Sequence, residues 1–546
     1  MQLRGALFKK LVVKEPSPKT RTGQALYLLK KNGRYLKFHI QPTRRLIKIP
    51  IDPNIVQNGV TYPLIEPYAY ARIFYDTKEE QFIYSIIEPR LTEYEEKILK
   101  KIKVGFVQII DVRLEDIEKN ETIIDFLEQN VKKLMEALNI KLGVKEYSKI
   151  MYYIYRDYVG LNKIEPFFSD PYIEDIGCDG TSTSVYIVHQ KFGSMKTNVI
   201  YNDEQELKDF VTKLAERCDR YISYAEPLLD GTLRNGARVQ ASLSSDVTTK
   251  GPTFSIRKFR EAPFSPTDII RLNTASPEMM AYLWFIVENG SNVLIVGGVA
   301  TGKTTILNCI SVFIPPEAKI VSIEDTRELD LPHENWIPGV SRTGFTGTGT
   351  GEVTMFELLK ESFRQNPDYL IVGEVRGKEA YVMFQGMASG HPTLSTMHAG
   401  SVDDLMKRLQ TKPINISAGL VESLDVVIQM VHAREKGKSA RRVKEIIEIR
   451  DVDKDSGNAR VNKVFSWMAS QDEFEFRGNS WLLSEISKQK GIPMIDIIRD
   501  LSKRKTIIEW LSANNIIKIE DVSKYISMYH KNPAKFDRIL SGEERI

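Results

Sequence analysis

The sequence predicts an α/β protein in which a doubly wound core lies between α+β domains and a helical C-terminal extension. From about residue 263, apolar runs such as NVLIV and DYLIV alternate with helical patterns, which is typical of a doubly wound sheet. Upstream, runs such as AYARIFYD and SVYIVHQ predict strands, and downstream WLLSEISKQ and its successors predict helices. These patterns divide the chain into four predicted segments: 1–130, 131–262, 263–463 and 464–546.

The composition predicts a multidomain protein of a reducing, cytoplasmic compartment. The 546 residues are 42% hydrophobic, which is enough to form several cores. Cys178, Cys218 and Cys309 lie far apart without a C-x-x-C pair, so neither a disulfide framework nor a four-cysteine zinc site is predicted. No run approaches the roughly 20 apolar residues of a membrane helix, and the start lacks a signal-peptide pattern. We therefore expect membrane contact to be peripheral.

The positive charge is concentrated at the start of the chain. The whole chain has a net charge of +4, but residues 1–60 carry 13 Lys or Arg against Glu15 and Asp52 alone. Such a segment is suited to contact anionic lipid or an acidic loop of a partner, and the alternative is a merely solvated face. Nucleic acid is the less favoured partner of this segment.

A proline-containing segment precedes the doubly wound core. The stretch FREAPFSPTDIIRLNTASPEM contains Pro263, Pro266 and Pro277, which disfavour one continuous element. This stretch is the predicted linker between domains.

The most specific motif is a phosphate-binding loop. The residues from Gly297 to Thr304, GGVATGKT, match G-x-x-x-x-G-K-[ST] between an apolar strand and an apolar helix. In such a loop, backbone N–H groups surround the phosphates of ATP, Lys303 reaches the β and γ phosphates, and Thr304 ligates Mg²⁺. The predicted nucleotide-binding residues are Gly297, Gly298, Val299, Ala300, Thr301, Gly302, Lys303, Thr304 and Thr305.

Three further strand ends carry polar groups. The run AKIVSI ends in Glu324 and Asp325, DYLIV ends at Gly373 and Glu374, and PTLSTM ends at His398. Ligands of open α/β sheets bind at the carboxyl ends of the strands, so these groups and the phosphate-binding loop are predicted to converge.

The two acidic pairs predict the hydrolytic groups. Glu374 follows an apolar strand, where a carboxylate holds Mg²⁺ or polarises the attacking water, and Gly373 stands where an Asp often sits. Neighbouring strand residues point in opposite directions, so one member of each pair faces the nucleotide. Glu324 is the first choice for the general base and Glu374 the second. The alternative for Glu324 and Asp325 is a capping or salt-bridging role.

Two other features of the core have less specific interpretations. His391 and His398 lie in one segment without a third ligand at metal spacing, which argues against zinc, and His398 is predicted to sense the γ-phosphate. The segment Thr343–Gly351, TGFTGTGTG, is either a switch or lid or a plain connection.

The order of these motifs resembles one family. The P-loop, IEDTREL, RQNPDYLIVGEVRGKEA and GHPTLSTMHAGS resemble the Walker A motif, Asp box, Walker B motif and His box of type II and type IV secretion ATPases. Upstream, PYIEDIGCDGTSTSVYIVHQKFGSM and GTLRNGARVQAS resemble that family's second N-terminal, PAS-like domain. The details resemble its archaeal branch, which includes the archaellum motor and pilus-assembly ATPases. The resemblance covers residues 60–455.

The resemblance implies a RecA-like P-loop core in a homo-hexameric, Mg²⁺-dependent motor that converts ATP and water to ADP and phosphate. It implies a polytopic membrane platform protein as partner, at the inner face of the cell membrane. It also implies arginines that reach the phosphates from outside the P-loop domain, at Arg238 and Arg257, with Arg217 and Arg260 as weaker candidates. The four-cysteine zinc module of many bacterial members is missing from this sequence, as in the archaeal branch.

Two other functional classes stay open at this point. A RecA-like nucleic-acid translocase would also use the P-loop and the basic first 60 residues, although no DNA-binding module or stacking platform is evident. A scaffold regulated by nucleotide would bind ATP and barely hydrolyse it, which the set of acidic residues disfavours. The sequence leaves the cargo open between an archaellum, a pilus and a secreted substrate.

Overall fold

A computed structural model describes residues 38–42, 59–109, 123–258, 263–342, 351–435, 438–453 and 457–540. Most of the basic segment 1–60, most of the glycine-rich loop, and Arg260 lie outside these ranges. The chain divides into two compact units, residues 1–259 and 260–546.

The first unit is built on a ten-stranded sheet of described strands. The strands are β1 Gln41–Pro42, β2 Val60–Glu66, β3 Ala69–Asp76, β4 Gln81–Ile87, β5 Ile173–Cys178, β6 Ser184–His189, β7 Gly193–Ile200, β8 Leu228–Thr232, β9 Arg238–Ser242 and β10 Thr253–Arg257. Their order is β1-β2-β3-β4-β7-β6-β5-β10-β9-β8. Neighbours are antiparallel, except that β4 and β7 pair in parallel.

Helices cover this sheet and contribute to its core. They are α1 Glu93–Ile109, α2 Ile123–Ala137, α3 Val144–Ile154 with a following π-helical turn Tyr155–Val159, α4 Glu165–Phe168 and α5 Glu204–Arg217. The predicted boundary at residue 130 falls inside α2, and the pairing of β4 with β7 joins strands of both predicted N-terminal segments in one sheet. The division into four domains stays a prediction.

The second unit contains the predicted doubly wound core. Its strands are β11 Val293–Gly297, β12 Ile320–Glu324, β13 Trp336–Val340, β14 Tyr369–Val375, β15 Thr393–Met397, β16 Val426–Glu435, β17 Lys438–Val452, β18 Ala459–Met468 and β19 Glu473–Phe476. They form one sheet in the order β13-β12-β14-β15-β11-β16-β17-β18-β19. The strands from β13 to β16 run parallel, and those from β16 to β19 run antiparallel.

Helices bury both faces of the parallel part. Along β11, Val293 and Ile295 belong to one hydrophobic core and Leu294 and Val296 to another, because successive side chains point to opposite faces of a strand. The helices are α6 Pro266–Arg271, α7 Pro277–Glu288, α8 Lys303–Ser311, α9 Met355–Ser362, α10 Glu379–Ala388, α11 Val402–Gln410, α12 Ala418–Val421, α13 Trp481–Lys490, α14 Met494–Ala513, α15 Ile519–Lys531 and α16 Pro533–Leu540. The predicted α/β fold class is confirmed.

The helical C-terminal extension consists of α13 to α16, residues 481–540, and packs into the same core as α6, α7 and α8. The predicted start at residue 464 is wrong, because residues up to Phe476 belong to β18 and β19. That hairpin pairs with β17 and so continues the sheet before the helices begin. Among the described helices, none has the length and apolar content needed to cross a lipid bilayer.

Candidate functional site: a P-loop at the edge of a parallel sheet

The P-loop connects β11 directly to α8. Gly302 immediately precedes the first residue of α8. Its φ of +92° lies in the left-handed region, which favours glycine. Gly297 has no room for a side chain, since a Cβ there would lie 2.6 Å from the Thr301 hydroxyl and 2.7 Å from the Met430 carbonyl oxygen. Thr301 donates to the Gly298 carbonyl at 3.0 Å. These constraints fix the loop at the N-terminus of α8, where the free backbone N–H groups of a helix bind anions.

The other predicted P-loop residues are less enclosed. Val299 is 78% exposed at the outside of the turn. Ala300 has φ of +57°, in the left-handed region. Thr304 and Thr305 are half-buried in the first turn of α8. Their side chains are therefore placed where ligands at a helix N-terminus bind.

Lys303 is buried within this turn. Its Nζ lies 3.2 Å from the Gly297 oxygen, 2.9 Å from the Gly298 oxygen and 3.2 Å from His398 Nδ1. Burial lowers the pKa of Lys303, although the nearby Glu374 carboxylate acts in the opposite direction. The three contacts match the three donors of an ammonium group.

The polar strand ends meet at one edge of the sheet. β12, β14, β15 and β11 are neighbours in this order and run parallel. Their carboxyl ends carry Glu324, Glu374, His398 and the P-loop, respectively. The convergence follows from the strand order, because parallel neighbours end on the same side of a sheet.

Glu324 is the buried carboxylate of the site. Its side chain is 1% exposed, and Oε1 accepts hydrogen bonds from the backbone N–H groups of Glu328 at 2.8 Å and Leu329 at 2.9 Å. Oε2 is buried, and no described residue hydrogen-bonds to it. Burial raises the pKa of Glu324 to about 7, although the two backbone bonds act in the opposite direction. Asp325 is exposed and bonded by Ser341, so the two acidic residues point in opposite directions.

Glu374 occupies an irregular position in β14. The register of β14 against β15 shifts between Val372 and Val375, and such a bulge changes the direction of a side chain. At the preceding Gly373, a Cβ would lie 3.1 Å from the Glu324 Cγ. The glycine therefore gives Glu324 the room that an Asp side chain would fill.

His398 connects Glu374 with Lys303. Its Nε2 lies 2.9 Å from Glu374 Oε1, and its Nδ1 faces Lys303. Burial and then Lys303 lower the pKa of His398, which favours the neutral ring. Since Lys303 can only donate, Nδ1 is the acceptor and Nε2 carries the ring proton. The contact of Nε2 with Glu374 is close but lacks hydrogen-bond geometry, and no described residue hydrogen-bonds to Glu374 Oε1. The predicted residue His398 thus joins the P-loop to the carboxylate.

His391 lies elsewhere. It precedes β15 at the opposite end of the strand from His398, and its ring contacts Phe363 with centroids 5.2 Å apart. This placement fits a packing role.

Three residues at the site were missed by the sequence reasoning. Arg376 Nη2 lies 2.6 Å from Glu374 Oε2, so Glu374 is held between His398 and Arg376. Arg441 Nε donates to the Ala300 carbonyl at 3.0 Å, and His432 Nε2 lies 3.1 Å from the Val299 carbonyl oxygen. Arg441 and His432 face each other on β17 and β16. Arg376 could have been found next to Glu374 in GEVRG, whereas nothing local marks the other two.

A cavity of about 190 Å³ adjoins the P-loop in the second unit. The loop side of the cavity is formed by Thr301, Gly302 and Thr305. The remaining lining is mostly apolar and comprises Phe264, Ile269, Leu272, Thr274, Ile306, Met430, Ala440 and Arg441. An apolar cavity with a few polar groups is a common form of ligand site.

The predicted arginines lie in the first unit. Arg238 and Arg257 are direct partners across β9 and β10, and Arg257 also faces Asp175 on β5. Arg257 Nε lies 2.9 Å from Asp175, and Arg238 Nη2 lies 3.3 Å from Asp230. The exposed fraction of the Arg257 side chain is 71%.

The weaker candidate Arg217 has another environment. Its Nη2 donates to the carbonyls of Tyr158 and Val159, both at 2.8 Å, at the end of the π-helical turn. Arg217 therefore caps a helix end in this structure.

The fold and the loop define the class of protein: an α/β protein with a P-loop motif between a parallel strand and a helix. The family model described as "Type II/IV secretion system protein" matches residues 162–473, which is more than half of the chain. The chain belongs to this family, and the resemblance found in the sequence motifs is confirmed.

Individual relatives include archaeal and bacterial proteins. An uncharacterized protein of Methanocaldococcus jannaschii is 37% identical over 501 residues, covering 88% of this chain and 89% of the relative. The type IV secretion system protein PtlH of Bordetella pertussis is 32% identical over 269 residues, covering 43% of this chain and 78% of PtlH. The crystal structure of the ATPase DotB from Yersinia pseudotuberculosis is 16% identical, with 68% and 93% of the two chains covered and a TM-score of 0.38.

Proposed function

We propose that this chain is a Mg²⁺-dependent ATPase that hydrolyses ATP to ADP and phosphate. The observation that carries the proposal is the contact of the P-loop Lys303 with His398, and of His398 with Glu374, beside the buried Glu324. Phosphoryl transfer to water requires a phosphate cradle, a metal-binding group and a carboxylate that orients the water. These groups are together at one edge of the sheet, and membership of the secretion family supports the proposal.

The residues present fit Mg²⁺. This ion prefers hard oxygen ligands and is held by few protein groups together with substrate phosphates. The Thr304 hydroxyl and the Glu374 carboxylate would hold it, and Glu324 Oε2 is a buried oxygen to which no described residue hydrogen-bonds. When bound, Mg²⁺ would neutralise phosphate charge in the transition state.

Glu324 is the proposed base. The backbone N–H groups of Glu328 and Leu329 fix Oε1, which leaves Oε2 to accept the proton of the attacking water. A general base works best when its pKa is close to the working pH, and burial brings the pKa of Glu324 to about 7. On nucleotide binding, Lys303 would exchange its protein acceptors for phosphate oxygens. Because His398 contacts both Lys303 and Glu374, this exchange would also affect Glu374.

Arg238 and Arg257 are the proposed arginine donors. The two arginines are direct partners across β9 and β10, so one phosphate group would reach both in exchange for their carboxylate partners Asp230 and Asp175. Guanidinium groups bind phosphate oxygens in bidentate fashion, which suits charge that develops in the transition state.

The cavity beside Gly302 and Thr305 is the proposed site of the adenosine part of ATP. Ala440→Trp would fill part of this cavity, so we expect mant-ADP to bind at least about tenfold more weakly, equivalent to about 1.4 kcal/mol. Fluorescence anisotropy measures the Kd, with Val461→Trp at an exposed position on β18 as control. Equal affinity of Ala440→Trp and the unchanged chain would contradict this placement.

The proposed machine is a homo-hexameric ring on the cytoplasmic face of the cell membrane. It would act through a polytopic platform protein to assemble a pilus-like filament or archaellum, or to drive secretion. The family description and the relationship to the type IV secretion protein PtlH support this role. The basic residues near the start of the chain would contact anionic lipid.

Membrane dependence is tested by turnover of the full chain with vesicles. We expect vesicles containing phosphatidylglycerol to stimulate ATP turnover several-fold, and vesicles of phosphatidylcholine alone to have no effect, because each Lys or Arg near an anionic surface contributes about 1 kcal/mol. A variant that lacks residues 1–37 loses ten Lys and Arg but keeps β1. This variant should keep its turnover without vesicles and lose only the stimulation by phosphatidylglycerol. Stimulation by DNA and not by vesicles would support a nucleic-acid translocase instead.

A further inference from the structure

The helix α6 forms a wall of the cavity beside the P-loop. Ile269 on α6, with Phe264 before it and Leu272 after it, lines the cavity. α6 is the first described helix of the second unit and has six residues, so its position depends on what it packs against. Its ends are held by residues from much later in the chain.

The C-terminal extension contacts α6 near both of its ends. The turn between α14 and α15, residues 514–518, contacts α6 through two polar pairs. The Thr267 hydroxyl donates to the Ile516 carbonyl at 2.8 Å, and Arg271 Nη1 donates to Asn515 Oδ1 at 2.7 Å. Thr267 is fully buried, so its hydroxyl bonds the Ile516 carbonyl without competition from water, and the Ser265 hydroxyl lies 2.8 Å from the same Thr267 oxygen.

The extension itself is fixed to the core by a buried charge cluster. Arg504 on α14 donates to Glu288 at 2.6 and 3.2 Å and to Asp500 at 2.7 Å. Its guanidinium also lies over the rings of Trp284 and Tyr529. These ion pairs and cation–π contacts hold α14 in one position against α7. Because the 514–518 turn follows α14 directly, its position is fixed as well.

The second end of α6 is held by β17 and the β18–β19 turn. Arg442 donates to the Leu272 carbonyl at 3.2 Å and forms two bonds of 2.7 Å with Asp472. Asn273 donates to Asp472 at 3.1 Å. The neighbouring Arg441 is the residue that reaches the P-loop, so α6 and the loop are attached to the same strand.

We propose that the C-terminal extension is a positioning element of the nucleotide site. The 514–518 turn holds α6 in place, so that Ile269 and its neighbours form the wall against which the nucleoside lies. Thr267 and Arg271 are the positioning residues on α6. The inference rests on the proposed function, since it assigns the cavity to the adenosine part of ATP.

Loss of the Thr267 contact affects binding more than chemistry. Thr267→Val keeps the shape of the side chain and removes the hydroxyl. The KM for ATP and the Kd for mant-ADP should rise about three- to tenfold, the equivalent of one hydrogen bond, while kcat stays within about twofold. Thr267→Ser keeps the hydroxyl and removes the methyl group, so it should restore both the KM and the Kd. If the methyl group mattered only for packing, Thr267→Ser would not restore them.

The test uses the full chain, with steady-state ATP turnover and mant-ADP anisotropy. Asn515→Gly is the second variant, because it removes the partner of Arg271 and retains a residue suited to φ of +58°. Lys503→Ala, which removes a surface ion pair with Asp537 on the extension, is the control and should change nothing.

The outcomes separate the two proposals. If the unchanged chain binds nucleotide and both Thr267→Val and Asn515→Gly bind it equally well, the positioning role is overturned and the ATPase proposal stands. If kcat falls in these variants while KM and Kd are unchanged, the positioning role is also overturned. If the unchanged chain neither binds nor hydrolyses ATP, both proposals fall together.

Discussion

Lys303→Ala is expected to reduce ATP turnover about 10²- to 10³-fold. The ammonium group is positioned by the Gly297 and Gly298 carbonyls at the P-loop, and no neighbouring cation in the described part of the loop replaces it. Removing one donor to transition-state charge costs about 2.7–4 kcal/mol in other enzymes. Steady-state phosphate release measures the effect.

The control for this substitution is Lys463→Ala. Lys463 is a half-exposed lysine of the same unit, paired with Glu445 at 2.8 Å. Its loss should leave turnover unchanged, because exposed ion pairs contribute little. Turnover by Lys303→Ala at the level of the control would contradict the assignment of the P-loop as the phosphate site.

Glu324→Gln is expected to abolish most turnover and to stabilise the fold at the same time. An amide keeps the size of the side chain and its acceptor for Glu328 and Leu329, but accepts no proton from water. Loss of a general base costs about 10²- to 10⁴-fold in rate. Single-turnover measurements at saturating ATP detect this loss.

The gain in stability depends on pH. The pKa of Glu324 rises from its ordinary value of 4.5 to about 7 in the native state, so the native state binds this proton more tightly than the unfolded chain. The free energy of unfolding therefore falls as pH rises from about 4.5 to about 7. At pH 8 the buried charge costs at most about 3 kcal/mol, which Glu324→Gln removes. The Tm of Glu324→Gln should exceed that of the unchanged chain at pH 8, and the difference should nearly vanish at about pH 4, below the ordinary pKa of the carboxyl.

Asp325→Asn is the matched control for the stability measurement. Asp325 is the adjacent carboxylate, but it is exposed and bonded by Ser341. Its substitution should leave the Tm at pH 8 nearly unchanged, because replacement of an exposed side chain has little effect on stability. A Glu324→Gln variant that is less stable than the unchanged chain at pH 8 would refute the interpretation of Glu324 as a buried base.

Much of the core was predictable from the sequence because its information is local. The apolar runs before Gly297, Glu324, Glu374 and His398 form four of the six described parallel strands, and the P-loop or a polar residue stands where each of the four ends. Successive side chains along a strand point to opposite faces, so Glu324 and Asp325 were expected to point in opposite directions. In the structure Glu324 is buried and Asp325 is exposed.

The remaining features depend on contacts between distant segments. Arg441 reaches the P-loop across 141 residues, and Thr267 reaches Ile516 across 249. No local pattern marks such pairs. The predicted start of the helical C-terminal extension, residue 464, is too early because it falls inside β18. The apolar residues of β18, such as Phe465 and Trp467, do not by themselves distinguish a strand from a helix.

The three contacts of the Lys303 ammonium make phosphate binding an exchange of partners. Each phosphate oxygen that approaches Lys303 displaces a backbone carbonyl or the ring of His398. The contribution of Lys303 to nucleotide affinity is thus the difference between two sets of bonds, and it is smaller than the strength of its bonds to phosphate alone. If the chain turns over ATP as proposed, this difference limits how tightly ADP is retained, and after release Lys303 regains its three protein partners.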